Sequence, residues 1–147
     1  MKSVIRVVID TNILVNALLT AGANRQVIRT CLMGQMRPLI GSTLFLEYED
    51  LLAREDLYRK SLLNADERRE LFAAFLSVCE WVQVYYLWRP NPNWGGGGDE
   101  GDNHLIELAV AGGASFLATN NLRDLKSGEL RFPSIRIVSP KELLEEL

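Results

Sequence analysis

Acidic residues occur in this 147-residue sequence at positions whose neighbours are apolar. Asp10 ends an apolar, β-branched run at residues 4–9, and ionised side chains are rarely left in dry surroundings without a partner. Glu47 lies on the apolar stripe of one amphipathic segment, and Asp102 heads the apolar stripe of another. These three carboxylates are therefore expected to point toward one another. Glu47 at the rim with its head in water, and Asp102 as an ordinary first-turn acid, are the alternatives.

Polar residues also follow a second apolar run, at residues 115–119. Thr119 ends that run, and Asn120 and Asn121 come directly after it, although asparagine is also a common turn former. In a parallel sheet the carboxyl ends of the strands meet at one edge, where ligands bind. Asp10, Thr119 and Asn121 would then share that edge with Glu47 and Asp102.

Such a cluster suggests a divalent cation. Three carboxylates within a few ångströms raise one another's pKa, and a cation removes that conflict. Oxygen ligands without His or Cys favour Mg²⁺ or Mn²⁺ over zinc. The chemistry that suits this arrangement is metal-assisted hydrolysis of a phosphodiester.

The elements that must position these residues alternate between strand and helix. Near-continuous apolar strands indicate a mostly parallel sheet, and the alternation predicts a three-layer α/β/α sandwich formed by residues 1–147 as a single domain. Thr11 or Asn12 is the predicted N-cap of the first helix, and Ser42 that of the third. Strands are expected at 4–9, 38–41, 81–85, 114–119 and 135–138, and helices after residue 10, at 24–34, 42–53, 65–78 and 102–112, and from Pro140.

Composition limits the classes of function. The net charge is −3, so no broad basic surface indicates nucleic-acid binding, although metal ions can neutralise an acidic site. Cys31 and Cys79 lack metal-ligand spacing and are expected to be reduced, half-buried apolar residues. No apolar stretch approaches a membrane span, so a soluble, cytoplasmic protein without a membrane partner is expected.

Four segments in this order resemble the PIN domain family. They are Val-Val-Ile-Asp10-Thr-Asn, then Glu47 in the third helix, then Asp99-x-x-Asp102 before Leu-Ile-Glu-Leu-Ala, then Leu-Ala-Thr119-Asn-Asn121. The similarity covers nearly the whole chain. It is strongest to small, stand-alone prokaryotic PIN proteins that resemble VapC-type toxins.

The resemblance implies an endoribonuclease that uses Mg²⁺ or Mn²⁺ to cleave single-stranded RNA, the toxin of a toxin–antitoxin pair. It also implies a homodimer and a cognate antitoxin. By position, Asp10 and Asp102 would be the main metal ligands and Glu47 a ligand or water-orienting base, with Thr119 in support. The fourth acidic position of the family falls on Asn121, whose amide adds no negative charge for a second metal ion; Asp99 and Asp124 are candidates to compensate.

Other residues are secondary predictions. Arg25 and Arg29, four apart, are the favoured arginines for contacts to RNA phosphates, because guanidinium groups bind phosphate bidentately; the alternative is that they are ordinary solvated charges. Asn12 is a further candidate for substrate contact. His104, the only histidine, is expected at the surface. Asn121 and the low basic charge keep open an alternative, a catalytically weak PIN-fold module for RNA or protein binding.

Overall fold

The computed structural model describes residues 4–84, 103–122 and 134–147. The strands are β1 (Ile5–Ile9), β2 (Met36–Ile40), β3 (Glu80–Trp81), β4 (Phe116–Ala118) and β5 (Arg136–Val138). The helices are α1 (Thr11–Leu19), α2 (Ala23–Leu32), α3 (Ser42–Ala53), α4 (Ala65–Val78), α5 (Asn103–Gly112) and α6 (Pro140–Glu145), with a 3₁₀ turn at Glu55–Tyr58.

The five strands form one sheet in the order β3-β2-β1-β4-β5, and every neighbouring pair is parallel. The chain runs outward from β1 through β2 to β3, then returns to place β4 on the other side of β1. The direction of winding therefore reverses between β1 and β4. In open α/β sheets this switch point opens a crevice at the carboxyl ends of the strands.

Helices cover both faces of the sheet, so the predicted three-layer α/β/α fold is confirmed. Helix α5 packs against β1, β2 and β4, whereas α6 packs against β4, β5 and α2. The buried strands supply much of the core, with Val7, Val8 and Ile9 fully inaccessible. Such burial on both faces explains why the strand that leads to Asp10 is almost uninterruptedly apolar.

Gly112 brings α5 close to the sheet. A Cβ atom at this position would lie 2.4 Å from Cδ1 of Leu39 and 3.0 Å from Cγ2 of Val82. The absence of a side chain at Gly112 thus sets the close approach of α5 to β2. None of the helices within the described residues is long and apolar enough to cross a membrane.

Several element boundaries differ from the predictions. Strand β3 covers only Glu80–Trp81, and the rest of the predicted 81–85 strand continues outside the sheet or, at Tyr85, beyond the described residues. Among the described strands, β3 lies at the edge of the sheet and pairs only with β2. Its pairing with β2 ends after the hydrogen bond from the Val82 amide to the Ile40 carbonyl oxygen. Asp10 rather than Thr11 or Asn12 is the N-cap of α1.

Candidate active site

Asp10 and Thr119 lie side by side at the switch point, directly after β1 and β4. Parallel pairing of Ile9 with Ala118 puts the two following residues at the same level, and the Asp10 amide donates to the Ala118 carbonyl oxygen at 2.9 Å. The Thr119 hydroxyl donates to Oδ2 of Asp10 at 2.7 Å. The predicted convergence of these two residues is therefore present in the fold.

Asp10 is 7% exposed, and its carboxylate receives hydrogen bonds from uncharged groups. Besides Thr119, the Asn12 side-chain amide donates to Oδ2 at 3.2 Å and the Thr11 hydroxyl to Oδ1 at 3.3 Å. None of the ion pairs formed within the described ranges involves Asp10. Oδ1 accepts one long bond, so it retains capacity for a further partner.

Glu47 is paired with His104, a histidine that was expected at the surface. Nε2 of His104, in the first turn of α5, lies 3.0 Å from Oε1 of Glu47 on α3. The His104 side chain is only 15% exposed, so the expectation of a surface histidine was wrong. Spacing within α5 could not reveal this pair, because the two residues are 57 positions apart.

Tyr48, the residue after Glu47 on α3, forms a hydrogen bond to the end of β1. Its buried hydroxyl donates to the carbonyl oxygen of Ile9, the residue before Asp10. Burial raises the pKa of Tyr48 well above its usual value, and the charges of Cys79, Asp10, Cys31 and Glu47 add to the effect. The Tyr48 hydroxyl thus ties α3, which carries Glu47, to the strand that ends before Asp10.

A chain of side-chain amides borders Asp10. Asn12 Oδ1 accepts from both the backbone and the side-chain nitrogen of Asn120 at 3.3 Å, and Asn120 Nδ2 also donates to Asn24 Oδ1 at 2.8 Å. The backbone N–H of Asn121 donates to the Thr119 hydroxyl oxygen at 2.9 Å. Asn24 and Asn120 were missed as site residues, since only the tertiary fold brings α2 to the end of β4.

The two arginines proposed to contact RNA differ in role. Nε of half-buried Arg25 donates to the Ala17 carbonyl oxygen at 2.8 Å and thereby ties α2 to α1. Arg29 is exposed and lines a groove between α2 and α4 together with Leu63, Glu67 and Leu71. Arg25 thus has a structural contact that the sequence did not indicate, while Arg29 remains accessible.

A cavity of about 210 Å³ borders His104. Its lining includes Gly41, Thr43, Gln83 and Glu107 as well as His104. Gly41 follows β2, so this cavity opens at the same edge of the sheet as Asp10.

The donor set around Asp10 fits a hard divalent cation. The Asp10 carboxylate and the Thr119 hydroxyl meet there, and oxygen atoms of these kinds are the ligands that Mg²⁺ and Mn²⁺ prefer. Asn12 faces Asp10 with its side-chain nitrogen, and its oxygen accepts from Asn120 instead. Within residues 4–84, 103–122 and 134–147 no three His, Cys, Asp or Glu side chains form a metal-binding group. The predicted ligands Asp99 and Asp102, together with Asp124, lie outside these ranges.

Comparison with known proteins supports the fold and the family. None of the curated proteins matches the sequence significantly. A chain from the crystal structure of VapBC2 from Rickettsia felis, bound to a DNA fragment from its promoter, has a TM-score of 0.56 with 16% identity; the match covers 92% of this chain and 98% of that chain. The sequence matches the PIN domain family over residues 6–123. This chain therefore belongs to the PIN domain family.

Proposed function

We propose that this protein is a divalent-metal-dependent endoribonuclease that hydrolyses phosphodiester bonds of single-stranded RNA. Membership of a family of nucleases supports hydrolysis of a nucleic acid. The observation that carries the proposal is Asp10, a nearly buried carboxylate at the switch point whose described partners are all uncharged. A carboxylate in such surroundings favours binding of a cation.

Each site residue has a proposed task. Asp10 and Asp102 would hold Mg²⁺ or Mn²⁺, with Glu47 as a further ligand or the group that accepts a proton from the attacking water, and Asp99 as an additional ligand. When bound, the cation supplies Lewis acidity, which stabilises negative charge on the scissile phosphate and lowers the pKa of water. Thr119 would orient Asp10 through its hydroxyl. Asn121, whose backbone N–H donates to that hydroxyl, would support Thr119.

RNA contacts are proposed for Asn12, Arg25 and Arg29. The hydrogen bond from Asn12 to Asp10 supports a substrate contact for Asn12, and the exposure of Arg29 on α2 supports one for its guanidinium group. Among the described residues, the hydrogen bond of Arg25 to Ala17 uses only its Nε, which supports a phosphate contact through its Nη atoms.

A role as the toxin of a toxin–antitoxin pair is also proposed, with an antitoxin and a second copy of the chain as partners. The similarity in fold to a chain of the VapBC2 structure supports it. Expression of the parent protein, but not of Asp10→Asn, should arrest growth of a bacterial host. Equal growth with both proteins would contradict the toxin role.

The second candidate function is a catalytically weak binding module. Asn121 favours it, because this amide stands where the family resemblance implies a fourth acid and adds no negative charge for a second cation. Such a module would bind RNA in the presence of EDTA and would not cleave it.

The decisive experiment combines metal binding with cleavage. We expect calorimetry to show Mn²⁺ binding to the parent, and Asp10→Asn to weaken it by about 100-fold or more, since even residues that only orient ligands contribute 10–100-fold. Excess EDTA should abolish cleavage of labelled single-stranded RNA, and added Mn²⁺ should restore it.

Asp50→Asn is the matched control, because it removes the same charge from an exposed position on α3. It should bind Mn²⁺ and cleave RNA as the parent does. Cleavage that persists equally in EDTA or in Asp10→Asn would overturn the proposal.

A further inference from the structure

We propose that His104 is a positioning residue that fixes the Glu47 carboxylate for its task in the site. The inference rests on the proposed function, since it concerns how Glu47 faces a metal ion or water. It deepens that function by adding a residue that lies outside the acidic set.

The geometry of the pair supports this assignment. Nε2 of His104 lies 3.0 Å from Oε1 of Glu47, within ordinary hydrogen-bond distance. The imidazole is largely enclosed, at 15% exposure, whereas the Glu47 side chain is 42% exposed. The histidine is thus the anchored partner, and the carboxylate it holds faces the solvent.

The hydrogen bond from His104 engages one carboxylate oxygen of Glu47 and leaves the other available to a metal ion or water. Oε1 accepts from the imidazole, and no hydrogen bond to Oε2 is found among residues 4–84, 103–122 and 134–147. A free glutamate rotates about three side-chain bonds, so a fixed donor on one oxygen restricts where the other can point. Groups of this kind orient metal ligands and typically change metal affinity or activity by about 10–100-fold.

The pair also joins the two elements that flank the site. Glu47 lies on α3 and His104 on the first turn of α5, two positions after Asp102 in sequence. A purely structural link between these helices would stabilise the fold without affecting the metal. The experiment must therefore separate stability from metal binding.

Two substitutions at one position make this separation. His104→Gln keeps an N–H donor that can reach Glu47, whereas His104→Phe keeps a ring of similar size without a donor. We expect His104→Phe to weaken Mn²⁺ binding about 10-fold or more and to lower kcat with little change in KM. His104→Gln should recover most of both quantities. Thermal unfolding of each metal-free variant reports stability independently.

A spectroscopic measurement tests the bond without metal or activity. His104 is the only histidine in the chain, so its ring nitrogens give one unambiguous set of signals in ¹H–¹⁵N spectra. The proton on Nε2 should be protected from exchange with water in the metal-free parent. Glu47→Ala should remove that protection, while Glu49→Ala, an exposed change two positions away on α3, should preserve it.

The outcomes are distinct. If the parent binds Mn²⁺ and cleaves RNA while folded His104→Phe does the same, the positioning role is overturned and the proposed function stands. Equal losses in His104→Gln and His104→Phe that follow the loss of thermal stability would show a structural link only, which also overturns it. A parent that neither binds Mn²⁺ nor cleaves RNA would overturn the proposed function and this inference with it.

Discussion

The surroundings of Asp10 combine burial with neutral donors. A fully dry carboxylate would be too costly to keep ionised, and a carboxylate facing an arginine would already be neutralised. Hydrogen bonds from Thr11, Asn12 and Thr119 lie between these extremes, since they orient the anion without cancelling its charge. This balance suits a residue whose proposed partner is a cation.

Thr119→Val tests the strongest of these bonds. The variant keeps the shape of the side chain and removes the hydroxyl that donates to Asp10 at 2.7 Å. Because hydrogen bonds to charged groups contribute about 1.5–3 kcal/mol, we expect the free energy of unfolding of the metal-free protein to fall by that amount. Urea denaturation measures it.

Thr30→Val is the matched control. Thr30 is also buried, but its hydroxyl donates to the Gln26 carbonyl oxygen within α2, an uncharged acceptor. The expected loss is about 0.5–1.5 kcal/mol. A smaller loss for Thr119→Val than for Thr30→Val would show that the bond to Asp10 does not stabilise the folded site.

At the scale of elements, the site depends on how α1, α2, α3 and α5 meet the carboxyl edge of the sheet. Helix α1 begins directly after Asp10. Glu47 on α3 and His104 on α5 meet across the contact between these two helices, which the sequence does not indicate. The position of α2 is set in part by Arg25, whose bond to Ala17 joins two consecutive helices.

Arg25 and Arg29 are therefore expected to respond differently to truncation. Arg25→Ala should lower the free energy of unfolding by about 1–2 kcal/mol, because it leaves the Ala17 carbonyl without its charged donor. Arg29→Ala should leave stability nearly unchanged, since the side chain is exposed, and should instead weaken RNA binding. Urea denaturation and fluorescence anisotropy with labelled RNA separate the two effects. Equal effects on stability would contradict the assignment of Arg25 to the α1–α2 contact.

At the scale of the whole molecule, burial suppresses the ionisation of both cysteines. Both are free thiols, and burial raises the pKa of Cys31 and of Cys79 from 9.0 to about 12. Cys31 is fully buried and Cys79 is half-buried, so the expectation of reduced, apolar cysteines is confirmed, with Cys31 more enclosed than expected. The folded state therefore binds protons that the unfolded chain releases above pH 9.0.

Stability is expected to decrease at alkaline pH for this reason. Below pH 9.0 the thiols are protonated in both the folded and the unfolded state, so the free energy of unfolding does not depend on their titration. As pH rises from 9.0 toward about 12, the unfolded chain ionises first and the free energy of unfolding falls progressively. The slope approaches about 1.4 kcal/mol per pH unit for each thiol once the unfolded chain has ionised. Urea denaturation in the presence of a reductant, across this range, measures the slope.

A double variant, Cys31→Ala with Cys79→Ala, provides the comparison. It should show a flatter decline that is still not zero, because burial also raises the pKa of Tyr48. Parallel curves for the parent and the double variant would contradict the role of the thiols.

Local sequence determined the positions of most helices and strands, and it identified the polar residues that follow β1 and β4. Apolar runs predicted the strands that end at Ile9 and Ala118, because a strand covered on both faces must be apolar along its length. Helix α4 follows its predicted bounds, with a capping box formed by Asn64 and Glu67. The polar residues at the ends of β1 and β4 were predicted to meet because a parallel sheet was expected, and β1 does pair with β4 in parallel.

Tertiary structure alone decided the remaining partnerships. The Glu47–His104 pair, the Asn12–Asn120–Asn24 chain and the Arg25–Ala17 bond join residues on different elements, so no periodicity within one segment encodes them. The shortness of β3 was also decided by tertiary structure. As an edge strand of the described sheet it pairs only with β2, so its length depends on that pairing rather than on the pattern of its own residues. Local residues thus placed Asp10 at the end of a buried strand, and packing between elements decided which side chains surround it.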